Sequence, residues 1–238
     1  MKLAVIAPPQ SQGVITTMRL SFHLVLAQYV GDFAYRSFYK AVHRRGDFIM
    51  LDNGIGEGVS LSLQDLMLSA GLVEADEITL PDVIGDGDAT VAAANAACPL
   101  VPKHMRAVCP HGRTWGEWEE CARRLVALGV ATICIGRYDN LPGGRLPALD
   151  IIAKNYWNWT HNIHMFGCAY PPMKSTREEL AQGPWIRSMD TGAPIAYAQE
   201  KQLIGDLSPH VSLDWHEGTD SRFAERNVDL LLDVCHGG

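Results

Sequence analysis

Short apolar segments rich in β-branched residues recur along this chain at a nearly constant interval, and that interval limits the fold more than any other property of the sequence. The segments DFIMLD (47–52), EITLPD (77–82), MRAVCP (105–110), ATICIG (131–136), NIHMFGC (162–168) and IRSMD (186–190) read as buried strands. With strand ends placed at residues 52, 82, 109, 136, 168 and 190, successive ends lie 22 to 32 residues apart. That is the length of one strand plus one helix that returns to start a parallel neighbour. LAVIA (3–7) and HLVLAQ (23–28) read as two earlier strands. Helical patterns fill the gaps: LSLQDLMLSAG (61–71), closing on Gly71; DATVAAANAAC (88–98); and TWGEWEECARRLVALG (114–129), with Thr114 as the cap and a glycine at its end. An open doubly wound sheet alternates in the same way, but a dinucleotide fold needs a glycine-rich phosphate turn after an early strand, and none is present. The spacing predicts a (β/α)8 TIM-type barrel, one domain over residues 1–238. HVSLDW (210–215) is the candidate for the closing eighth strand, followed by a helix over RFAERNVDLLLDVC (222–235).

A hydrophobic content of 47% in 238 residues is that of an ordinary globular chain with ample core. No run of eighteen apolar residues occurs, and MKLAVIAPPQ carries one Lys before two prolines, so neither a membrane span nor a secretory signal is expected. The sequence reads as cytoplasmic. The six cysteines form no C-x-x-C pair and sit mostly in apolar surroundings, which predicts reduced, buried thiols rather than a disulfide framework. A formal charge of -7 argues against a surface that attracts nucleic acid everywhere. YRSFYKAVHRR, with Arg36, Lys40, His43, Arg44 and Arg45 among aromatics, is either a local basic face or the solvated side of an amphipathic helix.

In barrels of this kind the reactive groups stand at the carboxyl ends of the strands. Those positions hold Asp52, Asp82 after a proline, Asp190, the run Pro110-His111-Gly112, Gly136 with Arg137, and Phe166-Gly167-Cys168. A single Asp at such a junction is as well explained as a helix cap. Three around one mouth raise one another's pKa values, and burial adds to this, which supplies acid and base near neutral pH.

LDNGIGEG, ADEITLPD, VCPHG, CIG, HMFGCAYP and SMDTGAP, in this order, resemble the tRNA-guanine transglycosylase superfamily. More narrowly they resemble the DpdA-type 7-deazaguanine DNA transglycosylases of bacteria and phages, and FHLVLAQYV followed by YRSFYKAV fits that narrower group. The resemblance spans roughly residues 20 to 200. It implies Asp190 as nucleophile, Asp52 as general acid and base, and Asp82 as the carboxylate that recognises a guanine-type base. It further implies His111 and Gly112 where tRNA enzymes have Gln-Gly, Gly136 with its backbone against the base, and Phe166 on the pocket face. Asn53, Gly54, Arg137 and Gly167 complete the implied substrate-binding set. The implied reaction exchanges guanine in DNA for a 7-deazaguanine, such as 7-cyano-7-deazaguanine, through a covalent aspartyl-glycosyl intermediate. The implied partners are DNA with a flipped or exposed guanine and the free base.

The tRNA enzymes follow their nucleophile with a Thr-Arg element and a zinc module of three cysteines and a histidine. Here Asp190 is followed by TGAPIAYAQ, and only one cysteine remains, so no cofactor and no metal are expected. His210, His216, Cys235 and His236 match no usual structural zinc spacing. A metal pair of His161 and His164 in WNWTHNIHMFG competes with a plain aromatic cluster. LPGGR (141–145), with Arg137 and Arg145, is either a phosphate cradle or an ordinary loop. Glu57, where tRNA enzymes often have Gln, is either a second base-contacting group or, the preferred reading, a loop carboxylate. Alternatives to DNA base exchange are a tRNA-guanine transglycosylase, a nucleoside or glycoside hydrolase using the same Asp pair, and a non-catalytic nucleic-acid-binding barrel.

Overall fold

In a computed structural model the chain is described over residues 1–138, 140–168, 173–205, 211, 213–214 and 217–236. The described residues contain the strands β1 (Lys2–Val5), β2 (Phe22–Leu26), β3 (Phe48–Asp52), β4 (Glu77–Thr79), β5 (Arg106–Val108), β6 (Thr132–Ile135), β7 (Asn162–Met165) and β8 (Ser188–Thr191). All pair in parallel in the order β1-β8-β7-β6-β5-β4-β3-β2, and the two ends of this ladder, β1 and β2, lie against each other. The result is a nearly closed (β/α)8 barrel. The helices around it are α1 (Gln12–Thr17), α2 (Phe33–Arg44), α3 (Leu63–Val73), α4 (Gly87–Ala97), α5 (Trp115–Val126), α6 (Leu146–Lys154), α7 (Trp157–Thr160), α8 (Met173–Gln182), α9 (Ala193–Gln199) and α10 (Ser221–Cys235).

Side chains alternate across each strand, so one half of every strand faces the barrel axis and the other faces the helices. Ala4, Phe22, Leu24, Met50, Ala107 and Cys134 meet in the interior. Their neighbours Val25, Ile49, Leu51, Ile78 and Val108 pack outward against α2 to α5. Polar caps start the helices: Asp32, Ser62, Asp86, Thr114 and Asp220 each accept a backbone N–H of the first turn. These contacts satisfy donors that have no partner inside a helix.

The floor of the barrel is polar. Arg187, just before β8, donates to both carboxylate oxygens of Glu77 at 2.7 and 2.8 Å, and Thr132 donates to the same carboxylate at 2.8 Å. β4 and β8 stand four strands apart in a ring of eight, so this pair crosses the barrel from side to side. Its guanidinium also lies over the stacked rings of Phe22 and Phe48, 5.4 and 5.3 Å from their centroids.

Two details differ from the sequence expectation. The eighth strand is supplied by IRSMD as β8, which already pairs with both β1 and β7 and leaves no place for HVSLDW. Of that segment, residues 210, 212 and 215 lie outside the described residues. Val211, Leu213 and Asp214 are in no strand, and Asp214 instead bonds through its backbone to the Gln199 side chain. Helix α3 runs through Gly71 to Val73 and stops at Glu74, whose φ of 58° places it in the left-handed region. The cap position is thus taken by a charged residue that pairs with Lys40 at 3.3 Å. All six cysteines are free; Cys109, Cys121, Cys134 and Cys168 are buried as expected, while Cys98 and Cys235 are partly exposed, and desolvation pushes the thiols of Cys121 and Cys235 up to about 11 and that of Cys168 to about 12.

Removing one partner of a buried ion pair leaves an unpaired charge in the interior. Arg187→Ala is therefore expected to cost about 3 kcal/mol of stability, the lower part of the range for buried pairs because Arg187 is partly exposed. Urea unfolding measures this, and a loss below about 0.5 kcal/mol, the value of an exposed pair, would contradict the role given to the floor.

Candidate active site

At the carboxyl ends of the strands lies an open cavity of about 910 Å³. Its wall includes Asp52, Asn53, Asp82, His111, Gly112, Gly136, Arg137, Phe166, Gly167 and Asp190. The structure thus brings all but one of the sequence-derived site residues to one mouth. The exception, Gly54, lies behind it: its φ is +81°, and a Cβ there would stand 2.7 Å from Gln28 Oε1, so it serves the turn after β3 rather than a ligand. That turn carries Ile55–Glu57 as a short 3-10 helix between two left-handed glycines.

Asp52 and Asp190 point inward by strand parity, as Met50 and Ser188 do. Asp190 is almost wholly enclosed, accepting from the Gly167 N–H at 3.1 Å and pairing with His164 Nε2 at 3.0 Å. His164 Nδ1 in turn meets the Ser188 hydroxyl at 2.9 Å. With the proton assigned to Nε2, the ring donates to Asp190 and accepts from Ser188, which fixes its orientation. Gly167 achieves its approach at φ +59°, where a side chain is strained.

Burial holds the Asp52 carboxyl well above the usual carboxylate range, and the charges of Glu57, Asp190 and Asp82 add to the effect. The Gly54 N–H, 3.2 Å from Oδ2, acts against it and does not prevail. Glu57 belongs to the exposed rim, yet its carboxyl lines the cavity, where desolvation first and Asp190 second push its pKa up. Its place over the mouth corrects the reading of Glu57 as an unengaged loop carboxylate.

Asp82 is already occupied by the protein. Oδ1 accepts from Asn53 Nδ2 at 2.6 Å and Oδ2 meets His111 Nε2 at 2.5 Å. Burial acts against charge on His111, but its interactions with Cys109 and with the Asp82 carboxylate outweigh it and push the imidazole up to about 10. Asp82, Cys109 and His111 place one oxygen, one sulfur and one nitrogen within 4.8 Å of one another, a set of donors able to hold a metal. The Thr79 hydroxyl, on the same wall, is buried and has no hydrogen-bond partner among the described residues.

Other expectations resolve plainly. Arg145 is buried and holds the carbonyls of Gly136, Phe166 and Gly167 together with Glu179, so it braces the loops after β6 and β7 and leaves no guanidinium for a phosphate. His161 bonds Thr160 on the outside while His164 faces the interior, so the two do not form a metal pair. The basic segment is one face of α2, where Tyr35, Tyr39 and Val42 are buried, Lys40 and His43 pair with Glu74 and Asp76, and Arg36 donates to the Val30 carbonyl. His210 and His216 lie outside the described residues. Sequence reasoning missed His164 as the partner of Asp190, although its parity with Phe166, just past β7, places it inside the barrel. It also missed Cys109, which lies within VCPHG but was given no role, and Thr79, which carried no motif.

No family model matches the chain, and no curated protein matches it. Solved structures do. A chain of the tryptophan synthase complex from Pyrococcus furiosus is 11% identical with a TM-score of 0.59, over 97% of this chain and 97% of that one. N-acetylneuraminate lyase from Mycoplasma synoviae is 11% identical with a TM-score of 0.54, over 81% and 69%. A 2,3-dimethylmalate lyase of the PEP mutase/isocitrate lyase superfamily is 10% identical with a TM-score of 0.52, over 81% and 74%. At such identities these likenesses establish the barrel. They also correct the resemblance to the tRNA-guanine transglycosylases and their DpdA-type members. With no matching family model, and with lyases, mutases and tryptophan synthase as the similar folds, the exchange of guanine for a 7-deazaguanine has no support. The tRNA, hydrolase and non-catalytic alternatives match none of these findings either. The structure adds a physical reason, since both oxygens of Asp82, the proposed base-reading carboxylate, are bound by Asn53 and His111. No helix among the described residues is long and apolar enough to cross a membrane.

A carboxyl whose folded pKa is raised keeps its proton in the native state at pH values where the unfolded chain has released it. The native protein thus loses stability as pH rises from the unfolded value, near 3.8 for Asp52, up to the raised folded value, and the loss levels off above that. Asp52→Asn, which cannot ionise, is expected to melt at a higher temperature than the parent at pH 8 and at nearly the same temperature at pH 4. Calorimetry at both pH values checks this, and an equal difference at the two would show that Asp52 is not desolvated.

Proposed function

We propose that the chain is an enzyme that uses Asp52 and Asp190 as an acid and base pair in a lyase-type reaction, the elimination of a leaving group from a small polar carbon compound or the reverse addition. The observation that carries this reading is the meeting at one mouth of two carboxyl groups in different surroundings: Asp52, buried among other acids so that its pKa is raised, and Asp190, oriented by His164 and the Gly167 N–H. Two carboxyl groups whose surroundings differ in this way can divide acid and base roles. Asp190 takes a proton from carbon, the C–H electron pair forms the new double bond, and the leaving group departs with its bonding pair and receives the Asp52 proton. Solvent exchange at the open mouth then returns each carboxyl to its starting state. The similar barrels named N-acetylneuraminate lyase and 2,3-dimethylmalate lyase support a reaction of this class on this fold.

The cavity sets the size and character of the substrate. Its volume of about 910 Å³ is within the range of small-molecule sites. Ile6, Leu24, Ile84 and Phe166 give apolar surface, while Arg137 and the Asp82–His111 pair put charged groups on the same wall. An anionic or carbonyl-bearing compound of a few carbons suits this combination.

The test is a panel of small hydroxy and keto acids incubated with the protein in D2O and followed by NMR. At least one is expected to exchange a carbon-bound proton or to eliminate. Asp190→Asn and Asp52→Asn should each lower that rate by about 10²- to 10⁴-fold, the usual contribution of a general acid or base. The rate should also fall as pH rises through the raised pKa of Asp52, because the acid form is the one that donates. Exchange that both variants leave intact would overturn the assignment.

A further inference from the structure

We propose that Asp82, Cys109 and His111 form a binding site for one zinc-class divalent transition-metal ion, with a fourth position open to the cavity. These residues follow adjacent strands, β4 and β5, and one carboxylate oxygen, the sulfur and one imidazole nitrogen lie within 4.8 Å of one another. Three protein ligands and one open position is the arrangement of catalytic zinc, whereas structural zinc takes four. At metal–ligand distances of roughly 2.0 to 2.3 Å, tetrahedral ligand atoms stand about 3.4 Å apart. The cluster thus needs only sub-ångström to ångström adjustments: the sulfur moves in, and the 2.5 Å contact of Asp82 with His111 opens as the ion replaces the bridging proton.

The surroundings point the same way. Asn53 Nδ2 holds the other oxygen of Asp82 at 2.6 Å and is itself anchored to the Leu80 carbonyl at 2.9 Å, so Oδ2 is directed at the cluster. A carboxylate oriented from behind by an amide is the usual outer contact of a metal ligand. The Cys109 sulfur is buried at 3.9 Å from the Tyr138 hydroxyl, which donates to the Pro110 carbonyl at 3.1 Å. Thr79 supplies a separate observation: the residue is 1% exposed and lines the same cavity, and its hydroxyl has no hydrogen-bond partner among the described residues. A buried hydroxyl without a partner costs free energy unless a ligand satisfies it, and a water on the fourth position of the ion would do so. The donor set selects the metal. A thiolate with an imidazole favours zinc, cobalt or a related ion, while Mg2+ and Ca2+ prefer oxygen alone. Such an ion supplies a Lewis acid beside Asp52 and Asp190.

The experiment uses Co2+ alone as the probe, added to the chelator-treated full chain and followed by absorption spectroscopy. One ion per chain is expected, with a thiolate-to-cobalt charge-transfer band in the near ultraviolet. Zn2+ should displace the ion and millimolar Mg2+ should not. Cys109→Ser should abolish the band, and Asp82→Asn and His111→Ala should each weaken binding by about 10- to 100-fold or more. Cys98→Ser, which changes a thiol outside the cluster, should leave both unchanged. Circular dichroism verifies that each variant is folded, and the near-isosteric Cys109→Ser and Asp82→Asn carry the test if His111→Ala is not. No Co2+ binding, binding without the thiolate band, or affinities within about threefold of the parent in Cys109→Ser and Asp82→Asn would overturn the site. None of these readouts depends on the lyase-type reaction, so the site and that reaction stand or fall separately.

Discussion

Arg187 reaches across the floor of the barrel to Glu77, and the rest of the structure is arranged around that contact. The pair joins opposite strands, β8 and β4, and takes in Thr132 of β6 and the stacked rings of Phe22 and Phe48. Charge at this end is neutralised and satisfied, so the floor acts as a cross-brace. The other end is built the opposite way. Asp52, Glu57 and Asp190 meet there with no Lys or Arg among their hydrogen-bond partners in the described residues, and the resulting destabilisation is tolerable because the floor and the helix layer hold the barrel shut. Barrels of this architecture commonly separate a stability face from a reactive face.

Within the mouth, two carboxyls carried by β3 and β8, three strands apart around the ring, have different surroundings. Asp190 is given donors by β7 and its loop, and its loop is in turn held by Arg145, whose guanidinium binds three backbone carbonyls. Asp52 receives one weak N–H and otherwise faces apolar surface and other acids. Burial first, and the charges of Glu57, Asp190 and Asp82 after it, raise the Asp52 carboxyl against its single N–H contact. Asp82 follows a third course, tied to Asn53 and His111, and becomes part of a wall of mixed donor atoms with Cys109.

Much of the fold was legible because parallel barrels repeat one unit, and the repeat survives in the spacing of apolar segments. Eight strands and the helices over 63–73, 87–97, 115–126 and 221–235 fall where hydrophobic periodicity and caps such as Thr114 place them. HVSLDW misled because an apolar, β-branched run looks the same whether or not a sheet edge is free to receive it. Asp52, Asp82 and Asp190 were legible as a group, since strand ends in a barrel converge on one mouth. Their partners were not. His164 lies 26 residues from Asp190 and Glu77 lies 110 residues from Arg187, and no local pattern encodes such pairings. The family resemblance misled for a related reason. LDNG, LPD and SMDT are short strings that any barrel with acidic strand ends can present, and their order follows from the repeat itself.

The account rests on Asp52 keeping its proton in the folded chain, and carbon NMR of the aspartate carboxyls reads that directly. With 13C-labelled aspartate, and the Asp52 signal identified by its loss in Asp52→Asn, the resonance is expected to remain at the shift of a neutral acid well above pH 3.8, the ordinary carboxyl value. A signal that titrates near 3.8, like an exposed aspartate, would contradict the division of acid and base roles at this mouth.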